Sequence, residues 1–190
     1  MYKRQHIFTF IVAGHETTAT SLSWAVYVLG RHHDIQTKLR DSIGSTEDLD
    51  SLEANEYLNI FTTELMRLYP AVPTLFRENS KAFEFKGITY PKGCSFAIQL
   101  LGHMHDCEDP LTFNLDRTSL PHAHCSSFWK GHRGCIGKQL ALIEFKLILC
   151  TLVKSFVIEL TDTDVVPVIQ VTRRPRQVLV QLHPIVPSNQ

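Results

Sequence analysis

The chain has 190 residues, enough for one domain with a core of its own. Its 19 Lys and Arg balance its 19 Asp and Glu, so there is no net basic or acidic field to mark a nucleic-acid or anionic-membrane partner. Five cysteines, an odd number in no framework spacing, indicate free thiols in a reducing compartment rather than a disulfide scaffold.

Met1 to Gln5 are polar and basic, and the apolar stretch Ile7 to Ala13 is too short for a membrane span, which needs about 20 residues. Residues Ile7 to Gly30 predict one long helix. Apolar residues on most of its faces, Phe8, Phe10, Ile11, Val12, Leu22, Trp24, Val28 and Leu29 among them, mark it as buried. Its middle carries a polar island, Gly14-His15-Glu16-Thr17-Thr18. A mid-helix glycine costs about 1 kcal/mol relative to alanine, and a buried carboxylate costs more unless compensated. Two costly residues together point to a site.

A second helix is expected from Asp34, as N-cap, through Ile35, Leu39 and Ile43 to Gly44. The acidic stretch Ser45 to Glu56 reads as a loop with a helical turn. A third helix spans Tyr57 to Tyr69, with Leu58, Phe61, Leu65 and Leu68 on one stripe and Pro70 as its stop. From Val72 to Leu101 the pattern turns to strands, with Ile88 to Tyr90 and Ser95 to Leu101 flanking the turn Pro91-Lys92-Gly93.

His103 to Lys130 reads as irregular chain. A mostly buried helix is expected from about Cys135 to Lys154, with Ile136, Leu140, Ile143 and Leu147 on one stripe. Two strands follow, Val165 to Val171 and Gln177 to Leu182, with Arg173-Arg174-Pro175-Arg176 as the turn between them.

The strongest chemical signal is Phe128-Trp129-Lys130-Gly131-His132-Arg133-Gly134-Cys135-Ile136-Gly137. A cysteine follows a glycine-punctuated loop and opens a helix. The unpaired N–H groups and positive dipole end of a helix favour a thiolate. Gly131, Gly134 and Gly137 let the backbone approach something large and flat. Arg133 offers a cation suited to a carboxylate, and Phe128 supplies an apolar lid. A shielded thiolate with N–H donors around it suits a sulfur-ligated iron.

This stretch resembles the cytochrome P450 heme loop, FxxGxRxCxG, at all its fixed positions: Phe128, Gly131, Arg133, Cys135 and Gly137. Ala13-Gly14-His15-Glu16-Thr17-Thr18 is similar to the family's oxygen-binding helix motif. Taken alone, a mid-helix threonine is more often back-bonded to its own helix. Glu64-Leu65-Met66-Arg67, followed by Leu68-Tyr69-Pro70, is similar to the family's ExxR segment; its spacing sets both charges on one helix face. Arg117, in Phe113-Asn114-Leu115-Asp116-Arg117, resembles the arginine that completes a buried triad, although Leu115 and Thr118 depart from the family's proline and phenylalanine there.

The resemblance covers the chain from about Ile7 onward. It implies a mainly α fold with minor β, the C-terminal half of the cytochrome P450 fold. Residues 1–190 would form a single partial domain whose N-terminal half is absent. It further implies a heme-thiolate monooxygenase inserting one oxygen atom from O2 into a small apolar organic substrate. The cofactor is expected to be heme b (iron protoporphyrin IX), with Cys135 as axial iron ligand. Ala13 and Gly14 would leave room for dioxygen, and Glu16 and Thr17 would relay protons. Arg133 and Arg77 would meet propionates; Glu64, Arg67 and Arg117 would brace the scaffold. Electrons would come from an NADPH-dependent reductase or another donor, and no nucleic acid is expected. The parent is expected at the endoplasmic reticulum membrane with its catalytic domain facing the cytoplasm and its anchor outside this chain.

Two other readings compete. One is a truncated, non-catalytic heme-binding fragment. The other is a zinc site from His103, His105 and Cys107, or from His122, His124, Cys125, His132 and Cys135, whose spacings form no CxxC or HxxxH pattern.

Overall fold

The computed structural model describes residues 2–46, 48–117, 127–129, 131–162 and 164–185. In chain order, α1 (Tyr2–Arg31), α2 (His33–Ile43), α3 (Leu49–Ala54) and α4 (Glu56–Leu68) are followed by β1 (Thr74–Glu78), β2 (Phe83–Phe85), β3 (Ile88–Tyr90) and β4 (Ser95–Gln99). Then come α5 (Leu100–Met104), α6 (Lys138–Ser155), β5 (Phe156–Leu160), β6 (Pro167–Ile169), β7 (Arg173–Pro175) and β8 (Val180–Pro184). The described strands form four antiparallel two-stranded sheets, β1 with β4, β2 with β3, β5 with β8 and β6 with β7.

Local chemistry sets the helix boundaries. The Asp48 carboxylate accepts from the Ser51 N–H at 2.9 Å to open α3. The Asn55 side-chain oxygen accepts from the Leu58 N–H at 2.8 Å to open α4. Each satisfies one of the orphan donors of a first turn. Gly44, at φ 54°, closes α2. The cap of α2 is His32, with Asp34 inside the first turn; the expected N-cap at Asp34 is therefore two residues late.

The core is built where α1, α2, α4 and α6 meet. Leu29, Leu39, Leu58, Phe61, Leu65, Phe145, Leu149, Val153 and Ile158 are almost fully buried, and each such side chain contributes about 1.5–3 kcal/mol. Gln36 ties this core to the tail. Its amide donates to the carbonyls of Leu29 and Ile158 at 3.0 and 2.9 Å, and its oxygen accepts from the Ile158 N–H at 2.8 Å. A buried amide satisfied on both ends is a stable choice.

Four expectations need correction. The first half of α1 is not buried: Ile7, Phe8, Phe10, Ile11 and Val12 are each more than half exposed. Only the half after Thr20 packs into the core; the amino half faces the turn at 171–172 across an open cavity. The last helix begins at Lys138, with Gly137 as its cap, not at Cys135. Its early apolar positions Ile136 and Leu140 are exposed. Arg173–Pro175 is a strand, β7, rather than a turn; the reversal lies at 170–172. A run of cations reads as a turn by composition, yet Arg173 lies partly buried on the aromatic rings of Trp24 and Tyr69, at 5.8 and 5.6 Å. Finally, α5 places His103 in a helix within the stretch expected to be irregular.

Candidate cofactor site

Between α1, α4, β1, the loop before α6 and α6 itself lies an open cleft of about 270 Å³. Thr17, Thr18 and Ser21 line it from α1; Val72, Leu75 and Arg77 from the β1 side; Phe128, Trp129, Arg133 and Cys135 from the loop; Ala141 and Phe145 from α6. Residues separated by more than a hundred positions thus face one space, an alcohol on one wall and a thiol on the other.

The loop owes its shape to two closing hydrogen bonds. The Cys135 N–H donates to the Phe128 carbonyl at 2.8 Å, and the Gly134 N–H to the Gly131 carbonyl at 3.0 Å. Such a tight reversal needs left-handed backbone, found at Gly131 (φ 82°) and at Trp129 (φ 63°). A Cβ on Gly134 would meet the backbone oxygens of Trp129 and Gly131 at 3.1 and 3.2 Å. Cys135 emerges exposed at the mouth of this loop, two residues before the α6 cap.

The glycines differ in what demands them. Gly131 and Gly134 are required by the chain's own geometry. Gly137 is not, since an added Cβ would lie 4.0 Å from the Cys135 Sγ, in ordinary contact. Gly14 has nothing within 4 Å of such a Cβ.

Arg77 sits on the cleft wall with its guanidinium 5.5 Å from the Trp129 ring centroid, and Nη1 donates to the Phe76 carbonyl at 2.8 Å. Arg133 is exposed on the same side. The Lys138 ammonium lies 5.8 Å from the Phe128 ring centroid.

On α1, the two expected relay residues diverge. The Thr17 hydroxyl donates to the Ala13 carbonyl at 2.8 Å, the back-bonded arrangement common for mid-helix threonine. Glu16 accepts from the Thr172 hydroxyl at 2.8 Å. A second cavity, of about 490 Å³, is lined by Val12, Ala13, Glu16, Thr17, Val171 and Thr172. Thr17 lines both cavities; Glu16 and Ala13 line only the second, and Gly14, Gly131 and Gly137 line neither.

Glu64, Arg67 and Arg117 form a buried ion cluster. Arg67 grips Glu64 in two-pronged fashion, Nε to Oε2 at 2.7 Å and Nη2 to Oε1 at 2.9 Å. Arg117 Nε reaches Oε1 at 3.4 Å, and the Asn114 N–H donates to the same oxygen at 3.0 Å. Arg67 also donates to the carbonyls of Pro110 and Thr112 at 2.9 and 3.2 Å, and Arg117 to those of Glu108, Asp109 and Thr112. The cluster therefore ties α4 to the chain after α5, despite Leu115 in place of the family's proline. Thr118 lies outside the described residues.

Sequence reasoning gave Trp129 and Thr172 no role, placed Arg173 in a turn and offered Cys107 only as a zinc ligand. Cys107 packs its sulfur 3.8 and 3.6 Å from Arg67 and Arg117 nitrogens. None of these carries a local pattern; each matters only through a contact distant in sequence. Of the zinc alternative, His122, His124 and Cys125 lie outside the described residues, and among the described residues no group of three or more His, Cys, Asp or Glu could hold a metal ion.

The cleft suits a flat, largely apolar group that carries carboxylates and accepts a sulfur ligand. Two arginines and one thiol face it, among apolar walls. The buried Trp129 Nε1 and Thr18 Oγ1 on its lining have no hydrogen-bond partner among the described residues, a situation native proteins rarely leave unresolved.

Comparison with known proteins agrees with this shape. The cytochrome P450 family model matches residues 3–185. The chain is 33% identical to cytochrome P450 4e2 of Drosophila melanogaster over 80% of its own length and 32% of that protein. It is 34% identical to cytochrome P450 3A17 of Cavia porcellus over 80% of its own length and 33% of that protein. A solved structure of a retinoic acid-bound cyanobacterial CYP120A1 superposes with a TM-score of 0.85 at 30% identity, covering 94% of this chain and 45% of that one. The fold is mainly α with a minor β part, and the chain belongs to the cytochrome P450 family. It spans about a third of the length of these curated relatives.

Proposed function

We propose that this chain is the cofactor-holding part of a monooxygenase that inserts one atom of O2 into a small apolar organic substrate. The observation that carries this reading is the single cleft that sets Cys135, Arg133, Arg77 and Phe128 against Thr17 of α1. Heme b, when bound, supplies the iron chemistry of oxygen activation.

The chain's own residues do the rest. Cys135 offers its thiolate to the metal from a loop held shut by the Phe128 carbonyl. Arg133 and Arg77 neutralise propionate carboxylates, and the Trp129 indole N–H offers a further donor to the same edge. Phe128 and Phe145 would form an apolar wall of the cleft that the sulfur faces. Thr17 holds a hydroxyl on the opposite wall, and Glu16 stands one residue away as a proton source. Glu64, Arg67 and Arg117 keep α4 and the following chain in register beneath the loop.

Electrons would arrive from an NADPH-dependent reductase or another donor. The parent protein would sit at the endoplasmic reticulum membrane with this part in the cytoplasm; no helix among the described residues is long and apolar enough to cross a membrane.

A second reading, heme binding without turnover, is favoured by one observation: Phe8, Ile11, Val12, Ile136 and Leu140 are exposed, so the described chain alone leaves apolar surface open to water. The test is a reduced, carbon-monoxide-bound difference spectrum of the heme-loaded chain beside Cys135→Ser. A strongly red-shifted Soret band that disappears in the variant supports thiolate ligation; a band that survives it, or no heme uptake at all, sinks the proposal. Peroxide-driven oxidation of an apolar probe then separates turnover from mere binding.

A further inference from the structure

We infer that Thr172, in the turn between β6 and β7, is the positioning residue for Glu16. The inference rests on the reading of Glu16 as the proton source and adds the residue that holds it in place.

Glu16, Thr20 and Trp24 recur every four residues and so share one stripe of α1. That stripe is bonded throughout to two consecutive tail residues. Thr172 donates to Glu16 Oε1 at 2.8 Å, Thr20 donates to the Thr172 hydroxyl at 3.3 Å, and the Trp24 indole donates to the Arg173 carbonyl at 2.8 Å. Thr172 is 1% exposed and Thr20 4% exposed. The turn cannot drift, because the Arg173 N–H donates to the Ala71 carbonyl at 2.8 Å and its guanidinium to the Leu68 carbonyl at 2.9 Å.

The hydroxyls are ordered in one direction. Each threonine has a single proton to give. Thr20 gives its own to Thr172, which leaves the Thr172 proton directed at Glu16. The row ends on an acceptor, so it suits a carboxylate and orients one oxygen of it. Glu16 is thereby kept on the wall it shares with Thr17 in the second cavity. Without Thr172 the carboxylate would be free among its rotamers. Glu16 and Thr17 project from neighbouring stripes of α1, so their relative placement depends on a partner 156 positions away in the chain.

The test uses the full 190-residue chain. The Glu16 carboxylate stretch is isolated as the infrared difference from Glu16→Gln. In Thr172→Val, a near-isosteric change, the band should move to the frequency of a solvated carboxylate and broaden. Thr172→Ser, which retains the donor, should restore it. A band unmoved in Thr172→Val overturns the proposal, as does a fall in thermal stability with no band shift, which would make Thr172 a tail anchor only. Should Thr172→Val not fold, Thr172→Ala removes the same donor with less bulk and should move the same band; an unmoved band there also overturns the proposal. Failure of heme uptake would sink the monooxygenase reading while leaving this infrared result standing, so the two are distinguishable.

Discussion

Glu64 shows how much one side chain can organise. Its carboxylate accepts from Arg67, Arg117 and the Asn114 backbone, and it is nearly sealed from water. A surface pair of this spacing would contribute about 0–1 kcal/mol. A buried pair that loses one partner leaves a charge stranded, which costs about 3–5 kcal/mol. Glu64→Gln should therefore lower unfolding free energy by about 3–5 kcal/mol in urea titration, with Glu53→Gln, an exposed acid, as a near-neutral control. A loss in Glu64→Gln no greater than that of the control would show that the cluster is effectively solvated. The pair itself was legible from its i,i+3 spacing and the Leu68-Tyr69-Pro70 that follows. Its third member was legible only through the family resemblance, and the carbonyls of Pro110 and Thr112 that complete it were not legible at all, because backbone acceptors leave no trace in residue identity.

At the scale of elements, the loop from Phe128 to Gly137 was the most readable part of the chain. Glycines, an arginine and a cysteine in fixed order specify both a conformation and a chemistry. The structure adds that the glycines answer to different causes. Gly134→Ala would force its Cβ against two backbone oxygens at 3.1 and 3.2 Å, and backbone cannot yield as a flexible side chain can. A crowding cost of about 1–3 kcal/mol is expected, read as weaker heme retention and an altered Soret band. Gly137→Ala should leave the heme-free chain as stable as before. Equal heme retention in Gly134→Ala and the unaltered chain would contradict the close approach.

Other elements were misread for reasons that are themselves physical. Helix α1 is apolar on most faces, and the expectation of burial along its whole length assumed that something packs on every face. The described chain supplies neighbours only for the second half. By composition β7 reads as a turn, since three arginines around a proline look like a solvent loop. Trp24 and Tyr69, stacked 4.1 Å apart, provide an aromatic platform for Arg173 that no local pattern foretells. Strand β5 was passed over since Phe156–Leu160 continues α6 without a glycine or proline between them.

For the molecule as a whole, buried ionisable groups set the pH range of stability. Burial pushes the Tyr69 hydroxyl up to about 12, with Tyr27 adding to the effect. The folded state thus holds the Tyr69 proton more tightly than the unfolded chain, whose tyrosine titrates near 10. This contribution is fully present below pH 10 and is lost as pH rises through about 12. At the acid end, burial lowers His105 and His32 below the usual imidazole range. Their contribution is present above the unfolded value and is lost as pH falls through the lower folded values. Burial likewise raises the Cys150 thiol to about 11, so thermal melts across pH should fall at both ends, and Tyr69→Phe should remove part of the alkaline fall while leaving the acid one. An alkaline fall unchanged in Tyr69→Phe would assign it to other groups.

By itself the sequence determined the family, the thiol loop, the ExxR pair and the periodic helices, since each depends on residues near one another in the chain, where spacing is a direct record of geometry. Only the tertiary structure decided which wall each of these residues faces. Thr17 and Cys135 meet across one cleft, whereas Glu16 turns to Thr172; the side of the helix that a residue presents is chosen by what packs there. Such packing is a property of distant segments brought together to bury apolar surface, and no local pattern in either segment encodes it.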